Sequence, residues 1–91
     1  MTGTEIKEYL IENNDELMFA DGFEEAIIGT VSGACRPAVV CYDYGKCIEI
    51  LTRDGMSEED AEEYFSFNVT GAYVGELTPL FLSDLRNQEP D

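Results

Sequence analysis

The pattern of apolar and polar positions predicts helices in three parts of the chain. Their expected ranges are residues 4–13, 44–53 and 57–70. Apolar side chains recur there every three or four residues, which places them on one face of a helix. Asp43 and Ser57 stand where the second and third helices would begin, and both residue types are common helix N-caps. Asp54-Gly55 would end the second helix.

Two short apolar runs predict strands. Residues 38–42, AVVCY, are β-branched at the centre and apolar on both faces, which is typical of a buried central strand. Residues 78–82, TPLFL, predict a last strand, and Pro79 favours an edge position because proline cannot donate a ladder hydrogen bond. We therefore expect an α/β or α+β fold, a single small domain whose short sheet packs against two or three helices.

The segment before the central strand gives weaker signals. Residues 17–20 fit either a short buried strand or an extended lead-in to a turn at Asp21-Gly22. The apolar spacing from Phe23 to Ile28 predicts one or two helical turns, and residues 29–37, GTVSGACRP, predict a loop. The compact domain would span residues 1–82, and the polar residues 83–91 would form a frayed tail.

The charge balance narrows the range of partners. The chain has 20 acidic residues, 5 basic residues and no histidine, for a net charge of −15. Too few cations are present for phosphate contacts, so direct binding to nucleic acid is disfavoured, as is binding to anionic membranes. The first ten residues lack a signal-peptide pattern, and no apolar run approaches the roughly 18 residues that span a bilayer. These features predict a cytosolic protein.

No residue pattern predicts a metal, a cofactor or catalysis. Both Asp-Gly turns fail as EF-hands because apolar residues occupy the ligand positions. The three cysteines, Cys35, Cys41 and Cys47, lack the paired spacing and the fourth ligand of a zinc site, so free thiols are expected. Without histidine the usual general base is missing, and Cys35, beside Arg36 in the predicted loop, is the one candidate for a reactive thiol. A small residue in a glycine-rich turn is the favoured interpretation of Cys35.

The third predicted helix carries a dense run of carboxylates within the sequence SEEDAEE. Its acidic residues are Glu58, Glu59, Asp60, Glu62 and Glu63. One face of this helix is expected to hold Ala61, Tyr64, Phe65, Asn68 and Ala72. Like charges four residues apart destabilise a helix by a few tenths of a kcal/mol per pair, and no basic residue in this helix offsets them. Such a surface resembles a phosphate array and would attract basic clefts, although a solvated face that keeps the protein soluble is the alternative.

Three phrases carry a resemblance to a known family: MFADGFEEAIIG, YDYGKCIEIL and DGMSEEDAEEYFSFNVTGAYVGELTPLFL. Over roughly residues 17–82 the chain resembles a family of small uncharacterised proteins of tailed bacteriophages and prophages. The resemblance implies a phage origin and expression in the host bacterial cytoplasm, and it assigns no activity. Small acidic phage proteins often act on host machinery, as DNA-mimic inhibitors do, which makes inhibition a class-level analogy.

These observations favour a non-catalytic protein that binds a host protein with a basic cleft. It would mimic DNA or RNA and inhibit a nucleic-acid-acting or defence system, with the five carboxylates of SEEDAEE as the contact surface. One alternative is a small-molecule pocket lined by Tyr42, Tyr44 and Tyr73 under the 29–37 loop. Another is a homo-oligomeric structural module such as a homodimer.

Overall fold

The computed structural model describes residues 2–13, 16–70 and 75–87. The helices are α1 (Gly3–Asn13), α2 (Tyr44–Arg53) and α3 (Glu58–Phe65), the last continued by a π-helical segment, Ser66–Thr70. The strands are β1 (Ile27–Gly33), β2 (Arg36–Asp43) and β3 (Leu80–Leu82), and 3-10 turns occur at Glu24–Ala26 and Leu85–Asn87. This α+β arrangement in one small domain confirms the predicted fold class.

Local capping sets the beginnings of α2 and α3, as the sequence predicts. The Asp43 carboxylate accepts a hydrogen bond from the Lys46 amide at 3.3 Å, and the Ser57 hydroxyl accepts one from the Asp60 amide at 3.1 Å. Each bond satisfies an amide that has no partner inside the helix. Gly55 follows α2 with a φ of +110°, a conformation that glycine adopts without steric cost.

The described strands form one mixed sheet in the order β1-β2-β3. β1 and β2 are an antiparallel hairpin, whereas β3 runs parallel to β2, with Cys41 opposite Leu80 and Asp43 opposite Leu82. Parallel neighbours require a long crossover, and α2 and α3 lie in that connection. The predicted edge position of the last strand is confirmed within the described sheet.

Two predictions are wrong in large part: the loop at residues 29–37 and the helical turns from Phe23 to Ile28. Only Glu24–Ala26 is helical, Ile27 begins β1, and Ala34 and Cys35 alone form the turn of the hairpin. Thr, Val and Ser within GTVSGACRP are compatible with a strand, but the glycines and Pro37 obscured that signal. Pro37 is tolerated because β3 pairs only with Cys41–Asp43, so the β3 side of β2 is open at residue 37.

The segments before β1 and after β3 agree in part with the structure predicted from the sequence. Residues 17–20 have no regular secondary structure and lead into the turn at Asp21-Gly22, which was one of the two alternatives. At the other end, Leu85–Asn87 form a single turn, and Arg86 pairs with Asp84 at 2.9 Å. Residues 88–91 lie outside the described part of the chain, so the frayed tail stays a prediction.

The core lies between one face of the sheet and the helices. Its largest fully buried side chains are those of Tyr42, Phe65, Val40 and Cys47. The Phe65 ring lies 4.8 Å from the ring of Phe81 and 5.2 Å from that of Tyr44, both in edge-to-face geometry. Phe65 therefore joins α3 to both the sheet and α2, which fixes the side of α3 that faces inward.

We expect the fold to lose stability in alkaline solution. Burial raises the pKa of Cys47 from 9.0 to about 12, with a further contribution from the charge of Asp43. Burial also raises the pKa of Tyr42 from 10.0 to about 12, although its hydrogen bond with Ala20 opposes the shift. Both groups are neutral when protonated, so unfolding releases protons once the pH exceeds their ordinary pKa values. Their contribution is therefore complete below about pH 9 and declines as the pH rises toward 12.

Urea unfolding at a series of pH values measures this decline. The variant Cys47→Ala should be less stable at neutral pH, yet its free energy of unfolding should fall less steeply above pH 9 because one titrating group is gone. Parallel alkaline slopes in the variant and the parent would contradict the role given to Cys47.

Candidate protein-binding surface

The run of carboxylates predicted from the sequence lies on the solvent side of α3. Its members, Glu58, Glu59, Asp60, Glu62 and Glu63, are all exposed. The inner side is set by Ala61 and Phe65, which are both fully buried. Since residues four apart stack along a helix, Glu59 and Glu63 form one outward row, and Glu58 and Glu62 form another. We call these five residues the acidic face.

The acidic face has no neutralising cation within the described residues. The ion pairs of the described residues join Lys7 to Glu24, Lys46 to Glu49, Arg53 to Glu25 and Arg86 to Asp84. None of them involves α3. The three acids of the first turn gain from the helix dipole, which is worth up to about 1 kcal/mol each. Glu62 and Glu63 lie in the second turn, where stabilisation by the helix dipole is much weaker. Burial raises the pKa of Tyr44, and the negative charge of Glu62 raises it further.

Two aromatic side chains extend the acidic face. Tyr64 is 42% exposed and Phe67 is 77% exposed, the largest exposed fraction among the large apolar side chains described. The expected position of Tyr64 on the inner face is therefore wrong, as is that of Asn68, which is also exposed. Ala72 lies outside the described residues, and Phe67 was missed. Their spacing was a usable signal, because Tyr64 follows Asp60 by four residues and Phe67 follows Glu63 by four. Aromatic rings are enriched at protein interfaces, and here they adjoin carboxylates.

The tyrosines of the alternative ligand pocket do not share a cavity in the described part of the chain. Tyr42 is fully buried, its ring stacks on Phe81, and its oxygen accepts a hydrogen bond from the Ala20 amide at 2.7 Å. Tyr44 is half-buried and lines a shallow concavity that also contains Lys46 and Asp84. Tyr73 lies outside the described residues. The small-molecule pocket thus stays a prediction, and the core position of Tyr42 does not favour it.

A larger open groove of about 1060 Å³ lies elsewhere, between the hairpin turn and the segment that leads into β3. Residues 31–37 form one wall, and Gly75 together with residues 78–81 forms the other. Arg36 and Glu76 are the charged side chains of this lining. One isolated charge of each sign gives little basis for selecting a ligand, so the groove has no evident chemical specificity.

The cysteines show no arrangement for catalysis or metal binding among the described residues. All three are free thiols, with Cys35 exposed and the other two buried. Burial raises the pKa of Cys41 and of Cys47, which keeps both thiols protonated and unreactive at neutral pH. Cys35 has a φ of +59°, which is strained for a residue with a β-carbon. The described His, Cys, Asp and Glu side chains form no group of three that could hold a metal ion.

Comparisons with known proteins identify no relative of this chain. A scan of protein-family models, a search of curated proteins and a search of solved structures each found no match to this chain. Among the residues that the structure describes, no helix is both long enough and apolar enough to cross a membrane.

Proposed function

We propose that this protein binds another protein through the acidic face of α3. The observation that carries the proposal is the exposure of five carboxylates that form no ion pair within the described residues, beside the exposed rings of Tyr64 and Phe67. Carboxylates on neighbouring turns produce a summed negative field that attracts a basic surface and accelerates its association. The function is binding, and no catalytic step is involved.

The partner that best complements this face is a protein with a basic cleft. Clefts that hold DNA or RNA combine cations with flat apolar or aromatic surfaces on which bases stack. Carboxylates could replace the phosphates there, and Phe67 could occupy the place of a base. The resemblance to phage and prophage proteins supports a host protein in the bacterial cytoplasm as the target, so the binding would inhibit a nucleic-acid-acting or defence system.

Capture from a bacterial lysate at low and high salt tests the proposal. The immobilised protein should retain a nucleic-acid-binding protein at low salt and release it at high salt, because screening weakens attraction between exposed charges. The purified partner should then bind either this protein or its own DNA or RNA, but not both together. A partner retained equally at both salt concentrations, or one that binds nucleic acid simultaneously, would refute mimicry.

Phe67 should act as an apolar anchor in this contact. We expect Phe67→Ala to weaken partner binding about fivefold or more, since truncating an aromatic anchor commonly costs at least about 1 kcal/mol. Leu85→Ala is the matched control, because Leu85 is 70% exposed and lies on a different segment. Calorimetric titration of the purified partner would measure both affinities, and equal affinities for the two variants would remove Phe67 from the interface.

A further inference from the structure

α1 is attached to the fold more loosely than α2 or α3. It contains no buried residue, whereas α2 buries Cys47 among others and α3 buries Ala61 and Phe65. Its inward side chains, Ile6 and Leu10, are only half-buried where they pack against the core. The largest fully buried side chains of the core come from β2, α2 and α3. The centre of the core can therefore persist without α1.

α1 covers the outer edge of β1. In the described sheet β1 is an edge strand, with β2 on one side, and α1 contacts β1 and the 3-10 turn Glu24–Ala26 on the other. The outer edge of a strand carries N–H and C=O groups that are open to pairing with another chain, and a covering helix is one way in which proteins prevent this. The position of α1 thus decides whether this edge is accessible.

Among the described residues, two close contacts anchor the beginning of α1. Gly3 lies directly against the backbone of Glu24 and Glu25, and a β-carbon at residue 3 would collide with the Glu24 carbonyl oxygen. Lys7 forms an ion pair with Glu24 at 3.2 Å, and its ammonium lies 5.4 Å from the centre of the Phe19 ring. The side chains of Lys7 and Glu24 are 25% and 32% exposed, so water and salt weaken the pair.

By itself α1 is a marginal helix. A capping box stabilises its first turn: the Thr2 amide donates a hydrogen bond to the Glu5 carboxylate at 3.1 Å, and the Glu5 amide donates one to the Thr2 hydroxyl at 3.2 Å. Its 11 residues are nonetheless fewer than the roughly 12–15 that an isolated helix needs in water. Detached from the sheet, α1 would lose backbone hydrogen bonds, and its amide hydrogens would exchange with solvent.

We propose that α1 is a detachable cover, which opens from the outer edge of β1 while the sheet, α2 and α3 stay folded. Opening exposes this edge together with the apolar side chains of Ile6 and Leu10. Such a local opening costs less free energy than global unfolding because few buried apolar contacts are broken. The accessibility of β1 is then a reversible property of the folded protein, and it is separate from the binding proposed for α3.

Native-state hydrogen exchange at a series of low urea concentrations tests the proposal. Protected amides of α1 should exchange at least about a hundredfold faster than those of β2, because local opening costs much less free energy than global unfolding. Exchange in α1 should depend little on urea, since opening exposes little surface, whereas exchange in β2 should accelerate steeply. Equal rates with equal urea dependence in α1 and β2 would overturn the proposal.

A core variant shows whether α1 opens independently. Phe65→Ala should accelerate exchange in β2 more than about a hundredfold, because it destabilises the folded core relative to the unfolded chain. It should leave exchange in α1 within about twofold of the parent, because the closed and opened states contain the same core. Should Phe65→Ala fail to fold, Ile48→Val gives the same comparison with a smaller effect. Equal acceleration in α1 and β2 would mean that α1 opens only when the whole fold unfolds.

A variant at the anchor tests how α1 is held. Gly3→Ala should accelerate exchange in α1 at least about fivefold, the effect of a typical steric conflict in a packed contact, although alanine is the better helix former. Thr4→Ala is the matched control, because it introduces the same residue at the next, exposed position and should change exchange by no more than about twofold. Equal exchange in the two variants would overturn the proposed attachment. None of these outcomes bears on the binding proposed for α3.

Discussion

Replacing Phe65 by alanine should lower the free energy of unfolding by roughly 3–5 kcal/mol, the usual cost of truncating a fully buried phenylalanine. The Phe65 side chain is 0% exposed, and its ring contacts those of Phe23, Tyr44 and Phe81 at centroid distances of 5.7, 5.2 and 4.8 Å. These rings come from the segment before β1, from α2 and from β3, so no single movement can close the cavity. A small domain has a total stability of about 5–15 kcal/mol, and this loss is a large part of it.

Urea unfolding followed by circular dichroism would measure the change. The matched control is Phe67→Ala, which removes the same atoms two residues later from a side chain that is 77% exposed. It should change stability by no more than about 0.5 kcal/mol. Similar losses in the two variants would mean that α3 does not pack on the sheet through Phe65.

Replacing Glu58, Glu59, Glu62 and Glu63 together by glutamine should weaken partner binding well over tenfold. At 1.4 kcal/mol per tenfold change, this result requires less than about 1 kcal/mol from each charge, a modest contribution for carboxylates that act through a summed field. Single replacements should therefore have small effects. Stability should stay equal or rise slightly, because glutamine is nearly as good a helix former as glutamate and the like-charge pairs disappear.

A second quadruple variant separates the acidic face from net charge alone. Glutamine at Glu8, Glu12, Glu49 and Glu76 removes the same number of charges from exposed positions outside α3. Its affinity should stay within a few-fold of the parent value, because these carboxylates lie outside the proposed contact and salt screens charges that the partner does not touch. Titration calorimetry at fixed salt would compare the two. If both variants weaken binding equally, or if the α3 variant binds as tightly as the parent, the acidic face only keeps the protein soluble.

The sequence by itself determined the helices and the exposure of the carboxylates. Helix beginnings depend on bonds between near neighbours, such as Asp43 to Lys46 and Ser57 to Asp60, which any short segment can form. The carboxylates of α3 had to face water, since burying unpaired charge costs far more than any packing gain could offset. The apolar run in β2 likewise indicated a central strand without reference to its neighbours.

Only the tertiary structure decided the hairpin and the aromatic part of the candidate surface. β1 is a strand because β2 pairs with it, an interaction between segments that local composition does not encode, and its glycines suggested a loop. Similarly, the helical period alone allows Tyr64 to join the inner face of α3. The direction of that face is set by the contacts of Phe65 with α2 and β3, and burial of Phe65 and Ala61 leaves Tyr64 and Phe67 exposed beside the carboxylates.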